Sequence, residues 1–117
     1  MPDITDFQIG RGETFKILAH IYTEASSSIP LNITSCSFAG QLRENYTTDE
    51  VAAEFTITKL IPYSSGSVFI YLYPDQTSQL YQRSYVYDVV MTDESKSPPT
   101  VRRLLEGGFT VRPSVTR

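Results

Sequence analysis

The chain of 117 residues has the length of one domain, and residues 1–117 are assigned to a single unit. With 40% hydrophobic and 20% charged residues, its composition is globular rather than disordered. The net charge of −3, without a long basic run, argues against a nucleic-acid partner, and no apolar run reaches the roughly 18 residues of a membrane helix. The acidic start, MPDITDFQIG, is no signal peptide, so synthesis in a cytosol is expected.

Hydrophobic and polar residues alternate with period two along most of the chain, which predicts β-strands. Two segments also carry helix signals, the capping-box spacing TTDE and the stretch VRRLLEGG, but the alternation continues through both. Turns are predicted at EASSSIP, ESKSPP and PDQTSQL, the last alternatively as one short helical loop. The pair Gly107-Gly108 predicts a bulge or turn in the last strand. The predicted strands cover residues 4–9, 13–22, 35–43, 51–59, 67–73, 84–92 and 100–111.

Seven or eight short strands predict an all-β fold, an immunoglobulin-like antiparallel β-sandwich, and the single cysteine excludes an internal disulfide. The stretch QTSQLYQRSYVYDV resembles the entry into strand F of an immunoglobulin domain. Tyr85 would then be a tyrosine-corner residue, with its hydroxyl bonded to the backbone a few residues upstream. Tyr87 would take the inward position that the strand F cysteine has in such domains.

The strand VFIYLYP (residues 68–74) is apolar on both faces, which is unusual for an antiparallel domain with one side in water. Three explanations are open for its second face, formed by Phe69, Tyr71 and Tyr73. Turns of the same chain could cover it, a planar ligand such as a sugar could stack on it, or another subunit could bury it. The residues alone leave all three open. The resemblance described below favours the third, and with it Val86 on the outward side of the strand 84–92 is assigned to a protein interface.

The sequence offers little for catalysis or for metal binding. His20 is the only histidine, and it is predicted to point outward together with Lys16 and Leu18. Cys36 is predicted to be a small buried hydrophobic residue. No catalytic residue, metal ligand or cofactor is therefore predicted, and the protein is expected not to be an enzyme.

Asp88 lies in the middle of a predicted strand, between Tyr87 and Val89. A structural role is predicted for it, as an ion pair with Arg43 or Arg83 across the sheet or as an acceptor for a loop backbone.

Several short motifs spread over the chain resemble a group of small domains in tailed-phage virions. This group includes the N-terminal domain of the baseplate upper protein of some phages and small structural proteins of cyanobacterial myophages. The chain departs from the pattern at Glu13, where the group usually has aspartate, and it has no fibre part behind Arg117. The motifs are RGETF (11–15), IPLNIT (29–34), LR (42–43), YVYDV (85–89) and the ending LLEGGFTVRPSVTR (104–117).

The resemblance implies an immunoglobulin-like sandwich that attaches to other virion proteins, is present in several copies, and performs no chemistry. A virion protein made in the host cytoplasm is expected, placed at the tail or baseplate as an adaptor. Capsid decoration is the alternative position, and a carbohydrate-binding module that contacts the host surface is the alternative of another class.

Overall fold

The computed structural model describes residues 3–23, 26–81, 83–95 and 97–113, and strands dominate it. The end of the last motif, residues 114–117, lies outside the described part of the chain. Its helical elements are one 3₁₀ turn, Tyr63–Ser65, and the short helix α1, Pro74–Thr77. The strands are β1 (Asp3–Ile4), β2 (Phe7–Gly10), β3 (Phe15–His20), β4 (Tyr22–Thr23), β5 (Ser26–Pro30), β6 (Cys36–Arg43), β7 (Ala53–Glu54), β8 (Thr56–Lys59), β9 (Ser67–Leu72), β10 (Ser84–Asp93) and β11 (Thr100–Arg112).

The strands form two main sheets and one small hairpin. The larger sheet has the order β1-β11-β10-β6-β7, and β2 also pairs with β11. The smaller sheet has the order β3-β9-β8, and β4 pairs with β5. This confirms the all-β prediction in its coarse form, with a β-sandwich-like arrangement of sheets.

The expectation of purely antiparallel sheets is wrong, because β1 and β2 both run parallel to β11. The ends of β2 and β11 lie together, where the Arg11 amide donates to the Arg112 carbonyl at 2.8 Å. The chain then turns there into β3 of the other sheet. Hydrophobic alternation carries no information on strand direction, since parallel and antiparallel neighbours bury the same alternate residues.

Backbone breaks divide three of the predicted strands, which is why the strand count exceeds the predicted seven or eight. The clearest break is at Phe55: β7 pairs with β6 in the larger sheet, whereas β8 pairs with β9 in the smaller one. Phe55 is buried between them, and its amide donates to the Gly40 carbonyl at 2.9 Å. The chain therefore crosses between the sheets at this corner. EASSSIP, predicted as a turn, supplies β5.

The two main sheets pack against each other through aromatic side chains. Phe15 of the smaller sheet lies 5.1 Å from Phe109 of the larger one, measured between ring centroids, and Phe55 lies 6.0 Å from Tyr87. The rings meet edge to face, the arrangement that their charge distribution favours. The predicted inward residues of β9 and β10 are buried as expected; they are Val68, Ile70, Leu72, Tyr85, Tyr87, Val89 and Met91.

The glycine pair in β11 does not interrupt the strand, so the bulge or turn predicted at Gly107-Gly108 is wrong. The register shift in β11 instead falls opposite Val89 and Val90, where Leu104 is the extra residue. Gly107 has φ of 155°, and a Cβ atom on it would stand 2.2 Å from the Thr5 carbonyl oxygen. The pair therefore admits the close passage of the chain between β1 and β2. VRRLLEGG is strand and not helix. PDQTSQL contains α1, in agreement with the second of its two predictions, a short helical loop.

Candidate protein interface

An aromatic row runs along the outer face of β9, the central strand of the smaller sheet. It consists of Phe69, Tyr71 and Tyr73. The centroids of Phe69 and Tyr71 are 5.8 Å apart, and those of Tyr71 and Tyr73 are 5.9 Å apart with ring planes within 6°. Phe69 and Tyr71 are half-buried, and Tyr73 is 49% exposed. Alternation along β9 places the row opposite the buried core side of the same strand.

Side chains of the neighbouring strand β3 cover part of this row. The register pairs Lys16 with Tyr71 and Leu18 with Phe69. The Lys16 ammonium lies 4.3 Å from the ring centroid of Phe69 and 5.5 Å from that of Tyr71, so a cation shields one ring face. Leu18 is 49% exposed. The surface is thus apolar and aromatic with one fixed positive charge.

These contacts bear on the three explanations for the second face of VFIYLYP. Cover by side chains of β3 accounts for part of the burial of Phe69 and Tyr71, yet Tyr73 and Leu18 are left about half exposed. A sugar that stacked on Phe69 would have to displace the Lys16 ammonium from that ring. A protein partner can instead cover the row together with Leu18, since aromatic side chains are enriched at interfaces.

Val86 does not join the aromatic row. It lies on the outer face of the larger sheet, opposite Arg43 of β6 and Gly108 of β11, and it is half-buried. Val86 lines a groove of about 360 Å³ whose other side chains are mostly polar, including Arg103 and the 75%-exposed Tyr46. The predicted interface residues therefore belong to opposite outer faces of the molecule.

The ion-pair partners predicted for Asp88 are wrong, because its carboxylate contacts Arg103 of β11 at 3.4 Å. Arg43 instead donates to the Thr48 carbonyl and to the Gln41 side chain, both at 2.8 Å. The extra residue in β11 explains why Arg103 is the partner of Asp88. It shifts the alternation of side chains in β11 by one position, so Arg103 lies on the outward face together with Asp88. A bulge of this kind leaves no clear trace in a pattern of alternating residues.

Tyr85 and Tyr87 are both buried, as predicted, with 4% and 3% of their surface exposed. The upstream hydrogen bond of the Tyr85 hydroxyl stays a prediction. The Tyr87 hydroxyl donates to the Thr5 carbonyl at 2.6 Å and so ties β10 to the break between β1 and β2. The pKa of Tyr87 is raised to about 12, mainly by burial and further by the negative charges of Asp6 and Glu106.

The chemically reactive side chains take part in local structural contacts. Nδ1 of His20 lies 2.9 Å from the Ser67 hydroxyl oxygen. Cys36 is buried, and burial raises the pKa of its thiol, with a further increase from the charge of Asp93, so the thiol is a weak nucleophile. Within residues 3–23, 26–81, 83–95 and 97–113, no group of three or more His, Cys, Asp or Glu side chains could hold a metal ion.

No helix in the described part of the chain is long and apolar enough to cross a membrane. No protein-family model matches the sequence, and a search of the curated proteins also found no match.

Proposed function

We propose that the protein is a non-enzymatic structural subunit of a tailed-phage particle, an adaptor that docks on neighbouring tail or baseplate proteins and is present in several copies. The docking part rests on the aromatic row, which an isolated domain leaves partly in water. The virion setting rests on the short sequence motifs, above all YVYDV and LLEGGFTVRPSVTR.

The row has the properties of an interface centre. Three aromatic side chains adjoin one another in one line. Phe69 and Tyr71 are held in place by the sheet, so little side-chain entropy is lost when a partner covers those two. Aromatic residues of this kind often dominate binding energies, at roughly 2 kcal/mol or more for a central one. Tyr73, at the exposed end of the row, has the most surface left to bury.

Particle incorporation tests the proposal. Particles would be purified from cells that express the wild-type chain or the Tyr73→Ala variant, and heads and tails would be separated before quantification by mass spectrometry. We expect the variant to be incorporated at least about tenfold less, which corresponds to about 1.4 kcal/mol. Tyr81→Ala is the matched control, since Tyr81 is a more exposed tyrosine that lies outside the row and outside the groove of Val86.

The outcomes separate the candidate functions. Enrichment in the tail fraction supports an adaptor, and enrichment on heads supports capsid decoration. Absence from purified particles contradicts the proposal. Retention on a host-polysaccharide column that is lost in Tyr73→Ala would favour the carbohydrate-binding alternative, because a sugar would then need the exposed end of the row.

A further inference from the structure

The smaller sheet ends at β3, and this edge has no strand beside it among the described residues. The strand order is β3-β9-β8, so β3 pairs on one side only, with β9. No turn or loop of the described chain forms a backbone hydrogen bond with residues 15–20. The backbone amides and carbonyls that point away from β9 therefore form a template for a further strand.

The opposite edge strand of the same sheet, β8, also pairs on one side only, with β9, but it is tied to the rest of the molecule. The Lys59 ammonium on β8 donates to three carbonyl oxygens, those of Ile33, Thr34 and Cys36, at 3.3, 3.3 and 3.0 Å. The chain also crosses to the larger sheet immediately before β8. A side chain and a crossing thus tie β8 to the rest of the molecule.

The usual protection of a free edge is a charged side chain that projects across it, and the charged side chain of β3, that of Lys16, does not project in that way. The Lys16 ammonium is turned toward the central strand, over the Phe69 ring at 4.3 Å. His20 is turned the same way and contacts the Ser67 hydroxyl at 2.9 Å. Leu18 is the remaining outward side chain of β3, and it is 49% exposed.

The core-facing side chains of β3 are also incompletely buried at this edge. Ile17 and Ala19 pack against the hydrophobic core, but both are only partly buried, whereas their partners in β9, Ile70 and Val68, are 2% and 0% exposed. Apolar side chains on an added strand would cover Ile17 and Ala19 and complete the burial of the core at this edge.

Charge indicates the kind of strand that fits. Alternation gives the outward residues of the smaller sheet, and they include Lys16 and His20 but no carboxylate. Because β3 itself reads FKILAH, a second copy paired through the same strand would bring a lysine and a histidine and no acidic group. Opposite charges across a strand pair stabilise it, and like charges destabilise it.

We infer that β3 binds an extended segment of a partner protein in which two acidic residues flank an apolar one at alternate positions. The acidic side chains lie opposite Lys16 and His20, the apolar one lies opposite Leu18, and the segment becomes a fourth strand of the smaller sheet. The inference rests on the proposed function, because it states how a docked partner is held.

A synthetic peptide tests the binding directly. The probe is acetyl-Thr-Glu-Val-Leu-Val-Glu-Thr-amide, titrated into the ¹⁵N-labelled full chain while amide shifts and hydrogen exchange are recorded. We expect shift changes centred on residues 15–20 and at least about fivefold slower exchange of their amides. A control peptide with lysine at both glutamate positions should bind at least about tenfold more weakly. In Lys16→Gln this preference for the acidic peptide should shrink several-fold.

Each contrary result overturns the inference: no shift with millimolar peptide, shifts centred elsewhere, equal binding of the two peptides, or self-association through β3. Hydrogen exchange in purified particles separates this failure from failure of the proposed function. If the chain is present in particles while residues 15–20 exchange as in the free chain and the peptide does not bind, the inference fails and the virion role stands. If the peptide binds and the chain is absent from particles, the virion role fails and the edge site stands.

Discussion

Two neighbouring residues of β9 allow the core face and the aromatic row to be tested separately. Ile70 points into the core and is 2% exposed, whereas Tyr71 points to the outer face and is half-buried. We expect Ile70→Ala to cost about 2–5 kcal/mol of unfolding free energy, because the truncation removes buried methyl groups and leaves a cavity between packed sheets.

The expected cost of Tyr71→Ala is smaller and follows from its contacts. The ring adjoins Phe69 and Tyr73, and aromatic pairs of this kind contribute about 0.5–1.5 kcal/mol beyond their buried area. Lys16, at 5.5 Å, adds about 0.5–1 kcal/mol at an exposed site. Since these terms overlap and the ring keeps part of its surface in water, we expect a total of about 1–2 kcal/mol.

Urea denaturation of the isolated chain measures both variants, with equal m-values as the sign that only stability has changed. Thr58→Ala is the control for the outer face, because Thr58 of β8 is exposed and pairs with Phe69 of β9. This substitution should change the unfolding free energy by less than about 0.5 kcal/mol. If Tyr71→Ala destabilises the isolated chain as much as Ile70→Ala, the row belongs to the core of the single chain. The interface interpretation is then refuted.

Three further predictions concern the larger sheet and its edge. Because the folded protein raises the pKa of Tyr87 to about 12, stability should fall as pH rises from 10 to 12, and Tyr87→Phe should abolish that fall in alkaline denaturation curves. A double-mutant cycle on Asp88 and Arg103 should give a coupling below about 1 kcal/mol, since both side chains are about half exposed, and a larger value would contradict this estimate. Gly107→Ala should destabilise the protein more than Gly12→Ala by thermal melting, because both have positive φ but only the first would collide with a backbone carbonyl.

The faces of the long strands could be predicted from the sequence because burial follows the period of two. This holds for β9 and β10, whose alternate residues are buried as the pattern indicates. The same period places Lys16 and Leu18 on the outward side of β3, and in the structure both residues lie beside the aromatic row.

The breaks, the strand directions and the partner of Asp88 could not be predicted, and one physical reason covers all three. They depend on backbone hydrogen bonds between distant segments, and the hydrophobic pattern does not report those bonds. The crossing at Phe55 leaves the alternation of its neighbours intact, and the extra residue at Leu104 moves Arg103 to the other face without a sequence signal.

The aromatic row and the free edge of β3 lie side by side, and this arrangement favours one partner over two. A strand added beside β3 would stand next to Lys16 and Leu18, and the rings of the row lie directly behind those side chains on β9. Large side chains on the outer face of that added strand would then reach toward the row. Main-chain pairing would fix the register, and the aromatic side chains would supply apolar contact, so each part strengthens the other.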